Sequence, residues 1–427
     1  MLEKEEKVDD VIKVSMLPID IKNGKTYIIE QANPNSYTHN FFKYPCKFIP
    51  EIPRWAIKKY AQQESSIILD PFSGSGTTLL ESMVNNHIAI GTEIDELAKL
   101  LIKVKTTPFT KDQIIEAKKC SKEIIDNLYR DDVFPIIAHI NNIEHWFPID
   151  SIDKLGRFRY LIQNIEDRDI RDLMMICFAS IIKKCSYADD VSPKPYVSSK
   201  VLKIPKEPIE EFMSIFNKYI KGIQELSDIE KLGSAQIIEG DALQFNTSEK
   251  VKLAITSPPY INAFDYGRTL RLENLWLGLI TEQQLRDKKK KYVGTEKIKI
   301  EQEEEKLSIL QQSELLSKYF EKILGVDKKR AYIVKRFFED MKINLEKVYN
   351  SLDENGIYCI VIGNSTIRNI EVESWKVFED IGKNIGFSVD AYFNYIIQNP
   401  YIRIPRGSKG GKINKDYVLV LKKIKGE

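Results

Sequence analysis

The 427-residue sequence predicts an α/β fold, in which helices cover both faces of a mostly parallel sheet. Two observations predict it. Short runs rich in Ile and Val alternate along the chain with longer segments of helical periodicity, as expected when helices connect parallel strands. Two of the apolar runs, Ile67 to Leu69 and Val251 to Ile255, lead into turns rich in glycine or proline. Residues that follow such strands lie at the edge where open α/β sheets bind ligands.

The first elements form a strand, turn, helix and strand unit. Residues 1–30 are charged and weakly patterned, and no element is predicted there. Hydrophobic periodicity then changes between the helical and the strand repeat. The predicted elements are a helix at Pro53–Gln63, a strand at Ile67–Asp70, a helix at Thr77–Asn85 and a strand at His87–Thr92.

Two blocks are interpreted as insertions into this pattern. Residues 105–232 have helical periods, including a long apolar helix at Asp169–Lys184, and residues 281–330 mix charges of both signs, which is typical of a solvated helical face. The main domain is therefore assigned to residues 31–104 and 233–427. Its later elements are strands at Gln236–Glu239, Lys252–Thr256, Ile357–Ile362, Val389–Ile397 and Asp416–Lys422, and a helix at Ala331–Leu352.

Composition is that of a soluble globular protein, with 43% hydrophobic and 30% charged residues. The net charge is only +2, so a nucleic-acid surface would require local segregation of charge. Five widely spaced cysteines without a Cys-x-x-Cys pair disfavour a disulfide framework or a zinc site, and no metal is expected. The acidic start, Met1 to Asp10, does not have the basic and apolar regions expected of a signal peptide, and no run approaches the roughly 20 apolar residues of a membrane span. We expect a cytoplasmic protein without a membrane partner.

The turn from Asp70 to Thr78, Asp-Pro-Phe-Ser-Gly-Ser-Gly-Thr-Thr, suits a small-molecule cofactor. Gly74 and Gly76 permit close approach of the backbone and leave room for a ligand. Glu93 follows Asp70 by 23 residues, near the position of an acidic residue that binds a ribose. Asp241 follows the next strand and could contact an adenine edge. A plain tight turn is the alternative, and NAD is disfavoured because the third glycine of its fingerprint is absent.

The tetrapeptide Ser257-Pro258-Pro259-Tyr260 suits a flat ring that bears an amino group. Such an exocyclic nitrogen is a poor nucleophile because its lone pair is delocalised into the ring. The Ser257 hydroxyl and the Pro258 carbonyl can accept hydrogen bonds from the amino protons, and two consecutive prolines hold that carbonyl rigidly. Tyr260 offers a face for an extruded base. A polyproline-type turn is the alternative, which the preceding buried strand disfavours.

These motifs resemble those of the amino-methylating DNA methyltransferases that use S-adenosylmethionine, in the N4-cytosine group, where Ser-Pro-Pro-Tyr is common. The segments Lys47-Phe48-Ile49-Pro50, Gly91-Thr92-Glu93-Ile94-Asp95 and Gly240-Asp241-Ala242 resemble further motifs of that family. The resemblance implies a Rossmann-like class I methyltransferase fold with a seven-stranded, mostly parallel sheet, an antiparallel last strand and a helical insertion. It implies that the catalytic residues are Ser257, Pro258, Pro259 and Tyr260, and that the cofactor-binding residues are Phe48, Asp70, Pro71, Phe72, Gly74, Gly76, Thr77, Thr78, Glu93 and Asp241.

The sequence departs from the family pattern in one respect, since we expect no separate target-recognition domain after the last strand. Recognition must then reside in an insertion, and the 105–232 block, with its segment from Tyr187 to Lys200, is the preferred region. A Pro-Cys pair is the nucleophile motif of C5-cytosine methylases, but Pro45-Cys46 lies before the cofactor strand. Cys46 is therefore interpreted as a core or pocket residue.

Two groups of residues are candidates for DNA contacts. The first follows the tetrapeptide and could frame the base pocket or bind phosphates, while a surface helix with intrachain salt bridges is an equal alternative. The second is a basic loop that would lie beside Ser257 if the strand before it is parallel, and it is favoured over a solvated hairpin. The two groups are Asp265, Tyr266, Arg268 and Arg271, and then Arg403, Arg406, Lys409 and Lys412.

The leading hypothesis is a site-specific methyltransferase that forms N4-methylcytosine in double-stranded DNA, with a companion restriction endonuclease as an expected partner. Adenine N6 or an RNA base is an alternative acceptor, because a hydroxyl can serve either amino group. A non-catalytic DNA-binding subunit is the alternative of another class. The intact Asp70, Gly74, Gly76, Ser257 and Tyr260 argue against that subunit.

Overall fold

The computed structural model describes residues 11–30, 34–45, 47–261, 266–304, 307–398 and 414–424. Within them, one mixed sheet contains nine strands and a separate hairpin contains two. The sheet strands are β1 (Val11–Val14), β2 (Thr26–Ile29), β3 (Ile67–Asp70), β4 (Ile88–Gly91), β5 (Ser234–Ile237), β6 (Val251–Thr256), β7 (Leu352–Gly363), β10 (Phe387–Ile396) and β11 (Lys415–Lys423), and the hairpin is β8 (Ser365–Ile367) with β9 (Ile370–Val372).

The order across the sheet is β1-β2-β10-β11-β7-β6-β3-β4-β5. Strand β11 runs antiparallel to both of its neighbours, β10 and β7, and the other described pairs of this nine-stranded sheet are parallel. The predicted class is thus confirmed: seven strands from β10 to β5, with the last strand of the chain antiparallel. The two additional strands, β1 and β2, extend the sheet beyond β10. They lie in the segment for which no element was predicted.

Helices cover both faces of the sheet, as the alternating sequence pattern predicts. In chain order they are α1 (Glu51–Tyr60), α2 (Thr77–Val84), α3 (Glu96–Lys105), α4 (Lys111–Asn127), α5 (Ile143–Trp146), α6 (Ile149–Gln163), α7 (Arg168–Ile182), α8 (Pro208–Ser227), α9 (Tyr266–Thr269), α10 (Arg271–Leu277), α11 (Glu282–Lys288), α12 (Ile300–Glu304), α13 (Glu314–Leu324), α14 (Lys328–Ser351) and α15 (Ser374–Ile385), with a 3-10 helix at Ser308–Gln312.

The helices of residues 105–232 share one apolar core with two helices outside that block. Helix α7 packs against α8 and α6, and also against α3 and α10. Leu101 of α3, Phe178 of α7 and Trp276 of α10 are fully buried in the same cluster. Burying large apolar side chains from all these helices removes a substantial area from water, which stabilises the block against the sheet domain.

The carboxyl ends of the parallel strands meet at one edge of the sheet. Strands β3 and β6 are direct neighbours, with Ile68 opposite Leu253 and Leu69 opposite Ala254. Strand β4 lies beside β3, with Asp70 opposite Gly91. The turns after β3, β4 and β6 therefore leave the sheet side by side, although β4 and β6 are separated by about 160 residues of sequence.

Candidate active site

A buried hydrogen bond joins the two predicted motifs. The Thr256 hydroxyl, on the last residue of β6, donates to Asp70 Oδ1, on the last residue of β3, at 2.6 Å. Asp70 Oδ1 also accepts from the Phe72 backbone N–H at 3.0 Å. Asp70 is 1% exposed, and desolvation raises the pKa of its carboxyl to about 6. This hydrogen bond thus joins the strand ends from which the glycine turn and the tetrapeptide begin.

The glycine turn has a backbone that explains its two glycines. Gly74 has φ +49° and Gly76 has φ +74°, a left-handed region that other residues rarely adopt. A Cβ on Gly76 would also lie 3.0 Å from Ile102 of α3. Between the glycines, the Ser75 carbonyl accepts a hydrogen bond of 2.6 Å from Lys105 Nζ. Lys105 is fully buried, and this burial lowers the pKa of its amine well below the usual value.

Glu93 follows β4 and faces the glycine turn. Its Oε2 accepts from the Gly74 N–H at 2.8 Å, and its Oε1 accepts from the N–H groups of Ile94 and Asp95 at 2.8 and 2.9 Å. Desolvation raises the pKa of Glu93 to about 7, against the lowering effect of these backbone donors. The Asp95 carboxylate caps α3 by accepting from the Ala98 N–H at 3.0 Å.

These turns enclose a cleft of about 810 Å³, which includes its part open to solvent. Ser257 and Pro259 of the tetrapeptide lie on the same cleft as the glycine turn, so the two strand ends converge as expected. Nine predicted site residues line it: Phe48, Pro71, Phe72, Gly74, Thr77, Glu93, Asp241, Ser257 and Pro259.

Three predicted cofactor residues lie behind the cleft rather than in its lining. Asp70 forms the buried link described above, and Gly76 packs toward α3. The Thr78 hydroxyl donates to the Ile255 carbonyl of β6 at 3.4 Å. Their contacts hold the turn in place between β3, α2 and β6.

Several residues that line the cleft come from distant segments and were not predicted from the sequence. Tyr44 and Lys47 belong to the stretch beside Phe48, so adjacency to a quoted motif could have indicated them. Lys291, Tyr292 and Val293 come from the charged block, where no sequence signal points to a site. The Tyr292 hydroxyl donates to Asp95 Oδ2 at 3.3 Å, which brings that block to the end of β4.

The residues of the tetrapeptide differ in their exposure. Ser257 and Pro259 are half-buried at the cleft, while Pro258 is buried. Tyr260 is half-buried, and its hydroxyl donates to Asp416 Oδ1 at 2.5 Å. Asp416 lies at the start of β11, two strands away from β6.

The predicted DNA contacts are placed only in part. Arg271 forms an ion pair with Glu282, and its guanidinium lies 5.8 Å from the centre of the Trp146 ring. This pair is the intrachain salt bridge that the alternative interpretation expected. Arg268 is exposed. The other candidates, and one cysteine, lie outside the described residues: Asp265, the side chain of Tyr266, Arg403, Arg406, Lys409, Lys412 and Cys46.

The described residues offer neither a metal cluster nor a membrane-spanning helix. They contain no group of three or more His, Cys, Asp or Glu side chains arranged to hold a metal ion. Among the helices that the structure describes, none has the length and apolar character needed to cross a bilayer.

The sequence is similar to known DNA methyltransferases over nearly its whole length. The Type II methyltransferase M.MvaI of Kocuria varians is 25% identical over 416 residues, which cover 90% of this chain and 88% of that protein. M.BsoBI of Geobacillus stearothermophilus is 27% identical over 289 residues, which cover 60% of this chain and 56% of that protein. The family of N6- and N4-directed enzymes described as DNA methylase matches residues 3–104. These similarities support an amino-DNA methyltransferase.

The cleft fits S-adenosylmethionine, the cofactor that the sequence motifs predict. Glu93 and Asp241 supply carboxylates that can accept from hydroxyl and amino groups, and Phe48, Phe72 and Leu243 supply apolar surface for an adenine ring. The rRNA methyltransferase aviRa of Streptomyces viridochromogenes is aligned over 88% of this chain and 86% of its own, at 7% identity and a TM-score of 0.31. A similarity of that size carries no argument, so the strand order itself defines the fold.

Proposed function

We propose that the methyltransferase modifies the exocyclic N4 of a cytosine extruded from double-stranded DNA. The observation that carries the proposal is the shared cleft, because Ser257 and the glycine turn line one cavity. A base inside a duplex cannot reach a cofactor that is enclosed in this way, so the target must leave the stack.

The proposed roles follow from hydrogen-bonding capacity. Bound S-adenosylmethionine supplies an electrophilic methyl group. The Ser257 hydroxyl and the Pro258 carbonyl accept hydrogen bonds from the two amino protons of the base, which shifts its nitrogen toward tetrahedral geometry. One of these protons leaves the nitrogen for water once the new N–C bond has formed. Glu93 accepts from the ribose hydroxyls of the cofactor, and Asp241 from its adenine amino group.

DNA would approach along the edge that carries the tetrapeptide. Arg268, with the loop residues Arg403, Arg406, Lys409 and Lys412, is proposed to bind phosphates. The 105–232 block is proposed to read the sequence. Its segment from Tyr187 to Lys200 begins beside Trp146, since the Tyr187 N–H donates to the Trp146 carbonyl, and Trp146 contacts Arg271. The similarity to Type II methyltransferases supports a role in modification, with a companion endonuclease as partner.

The acceptor base is decided by product analysis. Single-molecule sequencing of DNA from cells that express the chain gives the modified sequence, and nucleoside mass spectrometry identifies the base. The proposal expects N4-methylcytosine in one short context. N6-methyladenine would replace the proposed acceptor, and unmodified DNA despite retained cofactor would favour a non-catalytic subunit.

Variants test the catalytic assignment. Ser257→Ala and Tyr260→Ala should fold and bind cofactor like the wild type but lose methyl transfer by about a hundredfold or more, as when one preorganised hydrogen-bonding group is removed elsewhere. Ser388→Ala is the matched control, because Ser388 is a half-buried serine at the opposite end of the parallel strands, in β10. Activity of the first two variants equal to that of the control would refute the assignment.

A further inference from the structure

A buried carboxylate lies between the tetrapeptide and the far strands of the sheet. Asp416 is 5% exposed, and each of its oxygens accepts from a different phenol. The Tyr260 hydroxyl donates to Oδ1 at 2.5 Å, and the Tyr395 hydroxyl of β10 donates to Oδ2 at 2.9 Å. The carboxylate is therefore satisfied on both oxygens by side chains alone.

The strand order makes the Tyr260 contact long-range. Asp416 pairs with Gly363 of β7 on one side and with Tyr395 of β10 on the other. Strand β7 separates β11 from β6, so the Tyr260 side chain extends over the end of β7. Neighbouring strands are about 4.8 Å apart, so the loop after β6 and the two side chains together bridge about two strand spacings.

Burial and charge determine which groups donate and which accept in the hydrogen bonds between Asp416 and the two phenols. Desolvation raises the pKa of Asp416, and the two phenol donors oppose that effect. Burial raises the pKa of Tyr395 well above its usual value, so this phenol stays protonated and keeps donating. A buried carboxylate holds its donors strongly, because no water competes for its oxygens.

We propose that Asp416 is a positioning residue, which fixes the ring of Tyr260 as the platform for the extruded base. The inference rests on the proposed function, in which the base stacks on Tyr260. A tyrosine anchored at its hydroxyl has lost rotational freedom before the base arrives. Base binding therefore involves a smaller loss of side-chain entropy. The anchor also joins the catalytic turn to β11, the strand that follows the basic loop.

The experiment removes the contact from either end. Asp416→Leu removes both acceptors, Asp416→Asn keeps one for Tyr260, and Tyr260→Phe removes the donor but keeps the ring. With DNA carrying 2-aminopurine at the target position, Asp416→Leu and Tyr260→Phe should each lower the fluorescence gain on binding. They should lower kcat by about tenfold, which corresponds to part of the stacking free energy of one base on one aromatic ring. The KM for S-adenosylmethionine should not change.

Two comparisons separate positioning from general destabilisation. Asp416→Leu should add no further loss of kcat in the Tyr260→Phe background, and Asp416→Asn should recover most of the activity. Tyr395→Phe, which removes the other phenol, should reduce the fluorescence gain less than Tyr260→Phe does. Because Asp416→Leu removes the acceptor of two phenols, its fold is checked by circular dichroism. If it does not fold, Tyr260→Phe alone decides.

Several results would overturn the inference. They are wild-type kcat and fluorescence in Tyr260→Phe, losses that multiply in the double variant, and failure of Asp416→Asn to recover activity. Methyl transfer by the wild-type protein tests the proposed function separately. Absence of methyl transfer by the wild type would remove both proposals, whereas an active wild type with insensitive variants would remove this one alone.

Discussion

Glu93 shows how much one side chain does at the residue scale. Its two oxygens accept three backbone N–H groups, from Gly74, Ile94 and Asp95, and thereby hold the glycine turn against the end of β4. Desolvation nevertheless raises its pKa to about 7. A carboxyl group with such a pKa changes its charge within the ordinary working range of pH.

Cofactor binding should therefore weaken in mild acid. In the role proposed for Glu93, its carboxylate form accepts hydrogen bonds from the ribose hydroxyls, so binding would favour the deprotonated enzyme. Below pH about 7, each decrease of one pH unit should raise the Kd for S-adenosylmethionine by up to about tenfold, as linkage requires. Isothermal titration from pH 5.5 to 8.5 measures this slope.

Glu93→Gln is the control for that slope. It should bind more weakly than the wild type at pH 8 and lose most of the dependence between pH 6 and 8. A slope that persists unchanged in Glu93→Gln would assign the titration to another group, such as Asp70, whose pKa is raised to about 6.

Residues at strand ends were the ones that the sequence could predict. Ser257, Glu93 and Asp241 each follow a short apolar run, so their common edge follows from the parallel sheet alone. Tyr44 and Tyr292 reach the same cleft from segments without a strand period, and only the packed fold brings them there. The cofactor contact of Asp70 stays a prediction, and its hydrogen bonds to Phe72 and Thr256 join the two strand ends.

At the scale of elements, the active site depends on how β3 is joined to β6. The two strands share a short register, and the hydrogen bond from Thr256 to Asp70 ties their carboxyl ends together. Both side chains are buried, and Asp70 Oδ2 has no partner among the described residues. The Thr256 hydroxyl is thus one of few groups that compensate the buried carboxylate.

Thr256→Val should lower the free energy of unfolding by about 1–3 kcal/mol, the usual cost of leaving a buried acceptor unpaired. The loss should grow with pH. The folded pKa of Asp70 is already raised from 3.8 to about 6, so its ionisation costs stability as pH rises through that value. Losing a donor raises the folded pKa further, so the deficit should be larger at pH 8 than at pH 5, as urea titrations can measure.

Thr106→Val provides the comparison, because the Thr106 hydroxyl is also buried but donates locally to the Ile102 carbonyl, one turn back in α3. Its cost should be small and independent of pH. Equal pH profiles for the two variants would contradict the proposed coupling between β3 and β6.

Element prediction succeeded where the hydrophobic period was strong. Strand β3 has the predicted bounds, and β6, β10 and β11 differ from theirs by one or two residues. Strands β1 and β2 were missed because each is four residues long within a charged segment. Tyr27 and Ile29 of β2 are nevertheless buried, and pairing with β10 rather than local pattern determines that strand.

At the scale of the whole molecule, the helical insertion is continuous with the domain that carries the cleft. Helix α7 of the block and α3, which follows Glu93, contribute to one buried cluster. Helix α13 belongs to a different cluster on the sheet. The boundary at residue 105 therefore marks a change in sequence pattern within a shared core.

Amide hydrogen exchange should detect this continuity. Because they bury the same apolar surface, α3 and α7 should open with the same free energy and respond equally to low urea concentrations. Helix α13 serves as the internal comparison from the other core. Exchange of α7 through an opening that leaves α3 protected would show that the block unfolds independently.

The short strands at the two edges of the sheet disfavour pairing with another copy of the chain. Among the described residues, the outer strands β1 and β5 are each four residues long and only partly buried. Lys13 of β1 is exposed and paired with Glu30 at 2.6 Å. A strand from another copy of the chain would gain few backbone hydrogen bonds at either rim, and at β1 it would meet these charges. The long apolar strands, which could template amyloid-like stacking, are thereby kept in the middle of the sheet.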